Sequence, residues 1–415
     1  MKYFLVGIKG NGMCALACLL KDLGYVVIGS DVNKKFHTDE ILNNKGIKVF
    51  EYNLINIKEE YLYIIGYGAI NSIEAKKVME CGYNYYMYGD FINSLHMNII
   101  AVAGTHGKTT TSKILSILLN EKDVSYIVGD GSGYGSSKSN DLVLEACEYK
   151  NHFHAYNPYI GVINNIDFDH PDFFKNEKML INSFQEFARK CKFLVINGDD
   201  ERCLNIMHKN KTTFGFNEYN DYVIKIIDET DKGYVIKIND RFFELPLFGK
   251  HNIYNFASSY VVCKKFYDID VDLLHLDLPK RRMEEYRYIN NIIIDDYAHH
   301  PKEIESLYNS LRQKYKEKEL IIIFQPHTYS RTLAYKDDFV KCLDLYDKVY
   351  IYKTFLSRSE FDEKNEMKVN NIFKKFNKIS ENEIINLVNK YQNKVYVFCG
   401  AGDLNNVINK IINGS

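Results

Sequence analysis

The stretch Gly104-Thr105-His106-Gly107-Lys108-Thr109-Thr110 carries the residue types that handle phosphate. Glycines let backbone N–H groups turn toward an anion, and a helix that follows aims its positive end at the same point. In such a loop the lysine, Lys108, reaches the terminal phosphates and the Thr109 hydroxyl suits Mg²⁺. The spacing is the short form, GxxGKT, because Val102 stands where the longer loop has its first glycine. An ordinary strand-to-helix turn shares that outline, so the flanks decide. Ile99 to Val102 reads as a buried strand, and Ile114, Leu115, Ile117, Leu118 and Leu119 fall mostly on one helical face.

Other polar clusters stand where strands should end. Asp141 to Glu145 is an apolar strand closing on a carboxylate, which suits a Mg²⁺ contact or a plain exposed acid. Ile160 to Ile163 runs into Asn164-Asn165-Ile166-Asp167-Phe168-Asp169-His170-Pro171-Asp172. Asn291 to Ile294 runs into Asp295-Asp296-Tyr297-Ala298-His299-His300-Pro301, and Leu320 to Phe324 into Gln325-Pro326-His327-Thr328-Tyr329-Ser330-Arg331. Open α/β sheets bind ligands beyond the carboxyl ends of their strands, so these acids and histidines are site candidates. The alternative is turns built from good turn residues.

The elements that must position these groups follow an alternating pattern. At the amino terminus, Tyr3 to Val6 is a strand, Met13 to Leu23 a helix, and Tyr25 to Ile28 a second strand ending at Ser30-Asp31. Gly7, Gly10 and Gly12 make the first crossover GxxGxG rather than GxGxxG. That turn reads either as a diphosphate cradle, with Asp31 accepting from a ribose or base, or as a plain α/β turn. Lys48 to Phe50 and Tyr61 to Ile65 extend the sheet, and His96 reads as a surface loop residue. Gly129 to Ser139, rich in Gly and Ser, reads as a mobile loop. Leu194 to Asn197 is a further strand, residues 222 to 247 an antiparallel set, and Gly249 opens a helix through His251, Asn252 and Asn255. A basic, Pro-containing boundary falls at Leu278 to Arg282, after which Lys348 to Tyr352 and Val395 to Cys399 continue another α/β layer.

Composition narrows the classes. A chain of 415 residues predicts two or three domains, and 46% hydrophobic with 26% charged residues is ordinary for a globular protein. A net charge of −1 gives no reason to expect nucleic acid or an anionic membrane as partner. No apolar run reaches the roughly 18 residues a membrane span needs, and nothing resembles a signal peptide. The nine cysteines include no CxxC pair, and Cys14 and Cys18 read as small buried hydrophobes. A reducing cytoplasm is the expected home.

Taken together, AVAGTHGKTT, NIDFDHPD, HNIYNFA, DDYAHHPKEI, FQPHTYSRT and GAGD, in that order, resemble the Mur ligase family across essentially the whole chain. EACEYKNHFHAYNP and FQPHTYSRT resemble the alanine-adding members. The resemblance implies an α/β chain of three domains. These are a Rossmann-like UDP-sugar domain (1–97), a central P-loop ATPase-type domain (98–279) and a Rossmann-like closing domain (280–415). It implies ATP-dependent joining of L-alanine to UDP-N-acetylmuramate through an acyl phosphate, in a monomer or weak homodimer.

By residue, it implies sugar-nucleotide contacts at Gly10, Asn11, Gly12 and Asp31. ATP contacts are implied at Gly104, Thr105, His106, Gly107, Lys108, Thr109, Thr110, His251, Asn252, Asn255, Arg282 and Asp296. Mg²⁺ falls to Thr109, Glu145 and His170, and the incoming amino acid to Tyr297, His299, His327 and Arg331. Lys108, Glu145, His170 and His299 would be catalytic, with either His299 or His327 assisting loss of the amine proton. Lys9, Asn11, Thr328 and Cys147 stand where members commonly have Gly, Ile, Arg and Asp. Two other readings stay open: a ligase that joins a preformed tripeptide to the same sugar nucleotide, and a nucleotide-binding paralogue without catalysis.

Overall fold

The computed structural model describes residues 2–271, 276, 279–356 and 361–414. Leu278, in the expected boundary, lies outside the described residues. The chain forms two compact units, each assembled from several segments. The first holds Met1–Phe168, Glu177–Ile224 and Tyr254–Asp277, the second Asp169–Asn176, Lys225–Ile253 and Leu278–Ser415.

Two sheets lie in the first unit. β1 (Lys2–Val6), β2 (Val26–Asp31), β3 (Lys48–Glu51), β4 (Leu62–Ile65) and β5 (Tyr85–Met87) pair in parallel in the order β3-β2-β1-β4-β5. Parallel neighbours need crossovers, and the order reverses beside β1, where a doubly wound sheet opens a ligand crevice. Phe4, Val6, Tyr63 and Ile65 pack with Ala69, Ala75 and Val78 beneath it.

The helix Asn11–Asp22 is buried from Met13 through Leu20, including Cys14 and Cys18. An apolar stripe all round means cover on every side. One side is the sheet; the other is a hairpin from the second sheet. That hairpin corrects the expectation of a mobile loop over 129–139. β7 (Ser125–Ile127) pairs antiparallel with β8 (Gly133–Tyr134), and β8 lies on the helix. A Cβ at Gly133 would sit 1.9 Å from the Ala15 carbonyl oxygen, and one at Gly135 2.3 Å from that of Leu19. The glycines are there for close approach of backbones, not for mobility.

The second sheet runs β12-β11-β10-β6-β9-β7-β8 within this unit, with β6 (Asn98–Ala103), β9 (Asp141–Glu145), β10 (Ile160–Ile163), β11 (Phe193–Asn197) and β12 (Lys211–Gly215) parallel. The residues of β6 from Ile99 to Ala103 are all fully or almost fully buried, as expected for a central parallel strand. β13 (Tyr222–Thr230) starts parallel to β12, with Phe214 opposite Tyr222.

In the second unit, β14 (Gly233–Ile238) and β15 (Arg241–Leu245) form the antiparallel hairpin. The third sheet runs β16-β17-β21-β18-β19-β20, comprising β16 (Glu284–Tyr288), β17 (Asn291–Asp296), β18 (Leu320–Phe324), β19 (Lys348–Ile351), β20 (Asn377–Lys378) and β21 (Val395–Cys399). All its pairs are parallel except β16 with β17. Separate cores cover its two faces: Ile322, Phe324 and Val397 on one, Ile321, Ile323, Tyr396 and Phe398 on the other. Each such fully buried side chain contributes roughly 1.5–3 kcal/mol. Both β17 and β18 therefore end rigidly at the two polar clusters read from the sequence.

Candidate active site

The phosphate-type loop joins β6 to the helix Lys108–Leu118. Gly107 is the residue before that helix and has φ +80°, and a Cβ on it would meet Asn255 Oδ1 at 2.3 Å. Gly104 has φ +136°, with the backbone of Asn164 and Asn165 at 3.3 Å from a Cβ built there. Only glycine combines those dihedrals with that lack of room.

The segment after β10 braces the loop from one side. Thr105 N–H donates to the Asn165 carbonyl (3.1 Å), Thr105 Oγ1 donates to the Asp167 carbonyl (2.9 Å), and His106 N–H donates to Asn165 Oδ1 (2.8 Å). Asn255, buried, braces it from beneath with Thr111 Oγ1 (3.2 Å) and Asn164 Nδ2 (3.4 Å) at its Oδ1. Thr110 is buried in the first turn of the helix, beside the half-buried Thr109.

Lys108 is held by the loop itself. Its Nζ donates to the carbonyls of Gly104 (2.7 Å) and Thr105 (3.0 Å) and lies 2.9 Å from Glu148 Oε2. Burial alone would lower its pKa, but the acidic groups around it, Glu148 foremost with Glu145 behind, together outweigh that and hold the ammonium above its ordinary value. Sequence reasoning missed Glu148, which is 1% exposed. The signal was available: EACEYK places a second acid three residues beyond Glu145, and only the bend after β9 turns it to the lysine.

Glu145 pairs in register with Val102 at the end of β6, so its strand ends beside the loop. Its Oε2 accepts from Gly129 N–H at 2.9 Å. Cys147 between the two acids is pushed up to about 12 by burial, so its thiol stays protonated.

At the first glycine turn, Gly10 caps the helix Asn11–Asp22, and Tyr88 packs over Gly12, whose Cβ would come within 3.1 Å of the Tyr88 hydroxyl. The buried Asp31 holds this turn, accepting from Lys9 N–H and Val32 N–H, both at 2.8 Å. Asn11 Nδ2 donates to the Gly129 carbonyl at 2.6 Å.

The second unit gathers the remaining candidates. Asp169 forms a two-pronged pair with Arg331, at 3.2 Å to Nε and 3.3 Å to Nη2. Burial opposes its charge, but Arg331, His170 and His300, with the His170 N–H, together outweigh burial and hold the carboxyl well below the usual range. Arg331 Nη1 also donates to His327 Nδ1 (3.2 Å), and the rings of His327 and His299 meet edge-on at 5.4 Å. His299 Nδ1 donates to the Tyr297 carbonyl at 2.9 Å. A carbonyl only accepts and a guanidinium only donates, so these partners fix opposite tautomers on the two histidines. Burial pushes His299 down to about 4 and His327 down to about 3.

Asp296 spends its carboxylate on Met283 N–H (2.7 Å) and Ala298 N–H (2.8 Å). Arg282 lies over the Tyr297 ring at 5.6 Å. Its neighbour Arg281, which the sequence left unassigned, pairs with Asp295 (3.3 Å) and donates to the carbonyls of Gly400 and Gly402, stapling the GAGD turn. Burial lifts Asp295 to about 6 even so. Asn252 Nδ2 donates to the Phe248 carbonyl (2.9 Å), and His251 is exposed at the start of its helix.

Thr109 and Glu145 belong to the first unit and His170, with φ +54°, to the second. Among the described residues no three His, Cys, Asp or Glu side chains form a ready metal cage. Mg²⁺ does not need one: it takes one or two protein oxygens and completes its shell with water and phosphate. A carboxylate and a hydroxyl beside a phosphate-type loop are hard donors of the right kind.

The chain belongs to the Mur ligase family. Residues 2–85 match the family's catalytic domain, 102–263 its middle domain and 281–402 its glutamate ligase domain. Among curated relatives, the UDP-N-acetylmuramate–L-alanine ligase of Streptococcus agalactiae serotype III (strain NEM316) is 38% identical over 97% of this chain and 95% of its own. The enzyme of that name from Ligilactobacillus salivarius (strain UCC118) is 38% identical over 97% and 94%. Among solved structures, the UDP-N-acetylmuramate-alanine ligase MurC of Thermotoga maritima superposes with TM-score 0.83 at 21% identity, covering 100% and 99% of the two chains. A murein peptide ligase from Psychrobacter arcticus 273-4 superposes with TM-score 0.73 at 21% identity, covering 100% and 98%. Both structures share the fold.

Proposed function

We propose that this protein is an ATP-dependent ligase that joins L-alanine to UDP-N-acetylmuramate, yielding UDP-N-acetylmuramoyl-L-alanine, ADP and phosphate for peptidoglycan precursor synthesis. One observation carries the reading most directly: a largely enclosed Lys108 paired with the buried Glu148 at the base of a glycine turn, in a chain 38% identical over 97% of its length to relatives of that name. The functional domains are taken as 1–97 for the sugar nucleotide, 98–279 for ATP and 280–415 for the amino acid and closure.

A carboxylate is a poor acyl donor, so ATP activates it first. The lactyl carboxylate attacks the γ-phosphate; the new P–O bond gives an acyl phosphate as the bond to ADP breaks. The amine then attacks the acyl carbon and the C–O bond to phosphate breaks. In the first step two anions meet, and Lys108 stabilises charge on the transferring oxygens. Mg²⁺, held by Thr109, Glu145 and His170, would neutralise phosphate charge when bound. Gly10, Asn11, Gly12 and Asp31 form the sugar-nucleotide turn. Tyr297, His299, His327 and Arg331 receive the amino acid, and neutral His299 presents its Nε2 lone pair to the amine.

The protein works in the cytoplasm as a monomer or weak homodimer. Among the described residues no helix is long and apolar enough to cross a membrane. The test is ADP release with L-alanine or with a tripeptide, each with and without UDP-N-acetylmuramate. Release that needs alanine and the sugar nucleotide, and is abolished by K108A, supports the reading. Release that needs the tripeptide instead, or turnover retained in K108A, refutes it.

A further inference from the structure

The turn at Gly129–Gly131 belongs to neither half of the proposed chemistry, yet it touches both. On one side, Asn11 Nδ2 donates to the Gly129 carbonyl at 2.6 Å. On the other, Gly129 N–H donates to Glu145 Oε2 at 2.9 Å. A single residue thus passes a hydrogen bond in through its C=O and out through its N–H. The turn is pinned at further points: His37 Nε2 lies 3.2 Å from the Asp130 carbonyl, and a Cβ at Gly131 would touch Thr38, Ile41 and Cys14 within 3.8 Å. A Cβ at Gly129 would fall 2.1 Å from Glu145 Oε2, so only glycine lets the carboxylate dock there.

We infer that Asn11 is a positioning residue that couples the sugar-nucleotide turn to the metal carboxylate Glu145 through the Gly129 peptide. The inference rests on the reading of Glu145 as a Mg²⁺ ligand and of residues 10–12 as the sugar-nucleotide turn. Asn11 is the first residue of its helix, so a diphosphate seated on that turn fixes its backbone. The amide then holds Gly129, and Gly129 holds one carboxylate oxygen in place. Filling the sugar-nucleotide site therefore removes freedom from Glu145 and tightens the metal. By linkage, the metal tightens the sugar nucleotide by the same factor.

The probe is Mn²⁺, titrated by electron paramagnetic resonance into the full chain with a non-hydrolysable ATP analogue, with and without saturating UDP-N-acetylmuramate. In the wild type the sugar nucleotide should tighten Mn²⁺ by roughly two- to tenfold, the range for one neutral hydrogen bond. In N11L, which keeps the bulk but has no donor, the ratio should fall to about one. The readout is a ratio, so a uniform loss of either affinity does not move it. G129A, whose methyl displaces the carboxylate rather than the backbone, should weaken Mn²⁺ in both conditions and also bring the ratio to about one. A wild-type ratio of one, or an N11L ratio equal to the wild type's, overturns the inference. E145Q separates the layers: unchanged Mn²⁺ affinity in that variant removes Glu145 from the metal site and overturns the underlying reading as well.

Discussion

The buried pair of Asp169 and Arg331 sets a measurable prediction. Their side chains are 9% and 8% exposed, with two N–O contacts of 3.2 and 3.3 Å. At an effective dielectric of about 20 the attraction at that distance is about 5 kcal/mol, much of it offset by desolvation of the two ions. Removing one partner leaves the other charge buried, which costs about 3–5 kcal/mol. D169N keeps one acceptor for Nε but turns an amide N–H₂ against the guanidinium, so a loss of about 3 kcal/mol is expected. R331M should lose a similar amount, and D169L/R331M should recover most of it, because the double change leaves no orphan charge.

The assay is urea unfolding at pH 7.5, followed by far-UV circular dichroism and by tyrosine fluorescence, since the chain has 33 Tyr and no Trp. The sign with pH also follows. Asp169 has a folded pKa below its ordinary 3.8, so its contribution is complete above that value and is lost as pH falls through the folded one. A D169N loss under about 0.5 kcal/mol, or a coupling energy that small in the double cycle, would refute the argument.

Three further outcomes are expected. His299 and His327 are held neutral by burial, at about 4 and about 3, below the ordinary 6.5. The unfolded chain takes up those protons first, so stability is complete above pH 6.5 and declines as pH falls toward 4; H299Q should flatten that slope in urea titrations, and an unchanged slope counts against the burial argument. G133A should lower the melting temperature by several degrees, because its methyl meets the Ala15 carbonyl at 1.9 Å and overpacking costs about 1–3 kcal/mol; an unchanged melting point would show that the hairpin does not press on the helix. Iodoacetamide at pH 7.5 should alkylate exposed Cys81 well before Cys147, whose thiol burial lifts to about 12; equal labelling rates in the native protein would contradict that.

Much of this protein was determined by local order in its sequence. A strand, a GxxGKT turn and a helix in succession specify a phosphate-type loop, because apolar periodicity and glycine placement act within a few residues of one another. The strand-end clusters at 164–172, 295–301 and 325–331 were legible for the same reason. What only the tertiary structure decided involves partners distant in the chain. Glu148 reaches Lys108 across 40 positions, and Asp169 reaches Arg331 across 162. The glycines of 129–135 read as freedom when seen alone, and become close packing once a helix more than a hundred residues earlier lies against them. The tautomers of His299 and His327 follow from a carbonyl and a guanidinium that the spacing of the histidines does not encode. Composition and periodicity say which face of an element is buried; which charge or carbonyl waits on that face is settled only when separate stretches of chain are brought together.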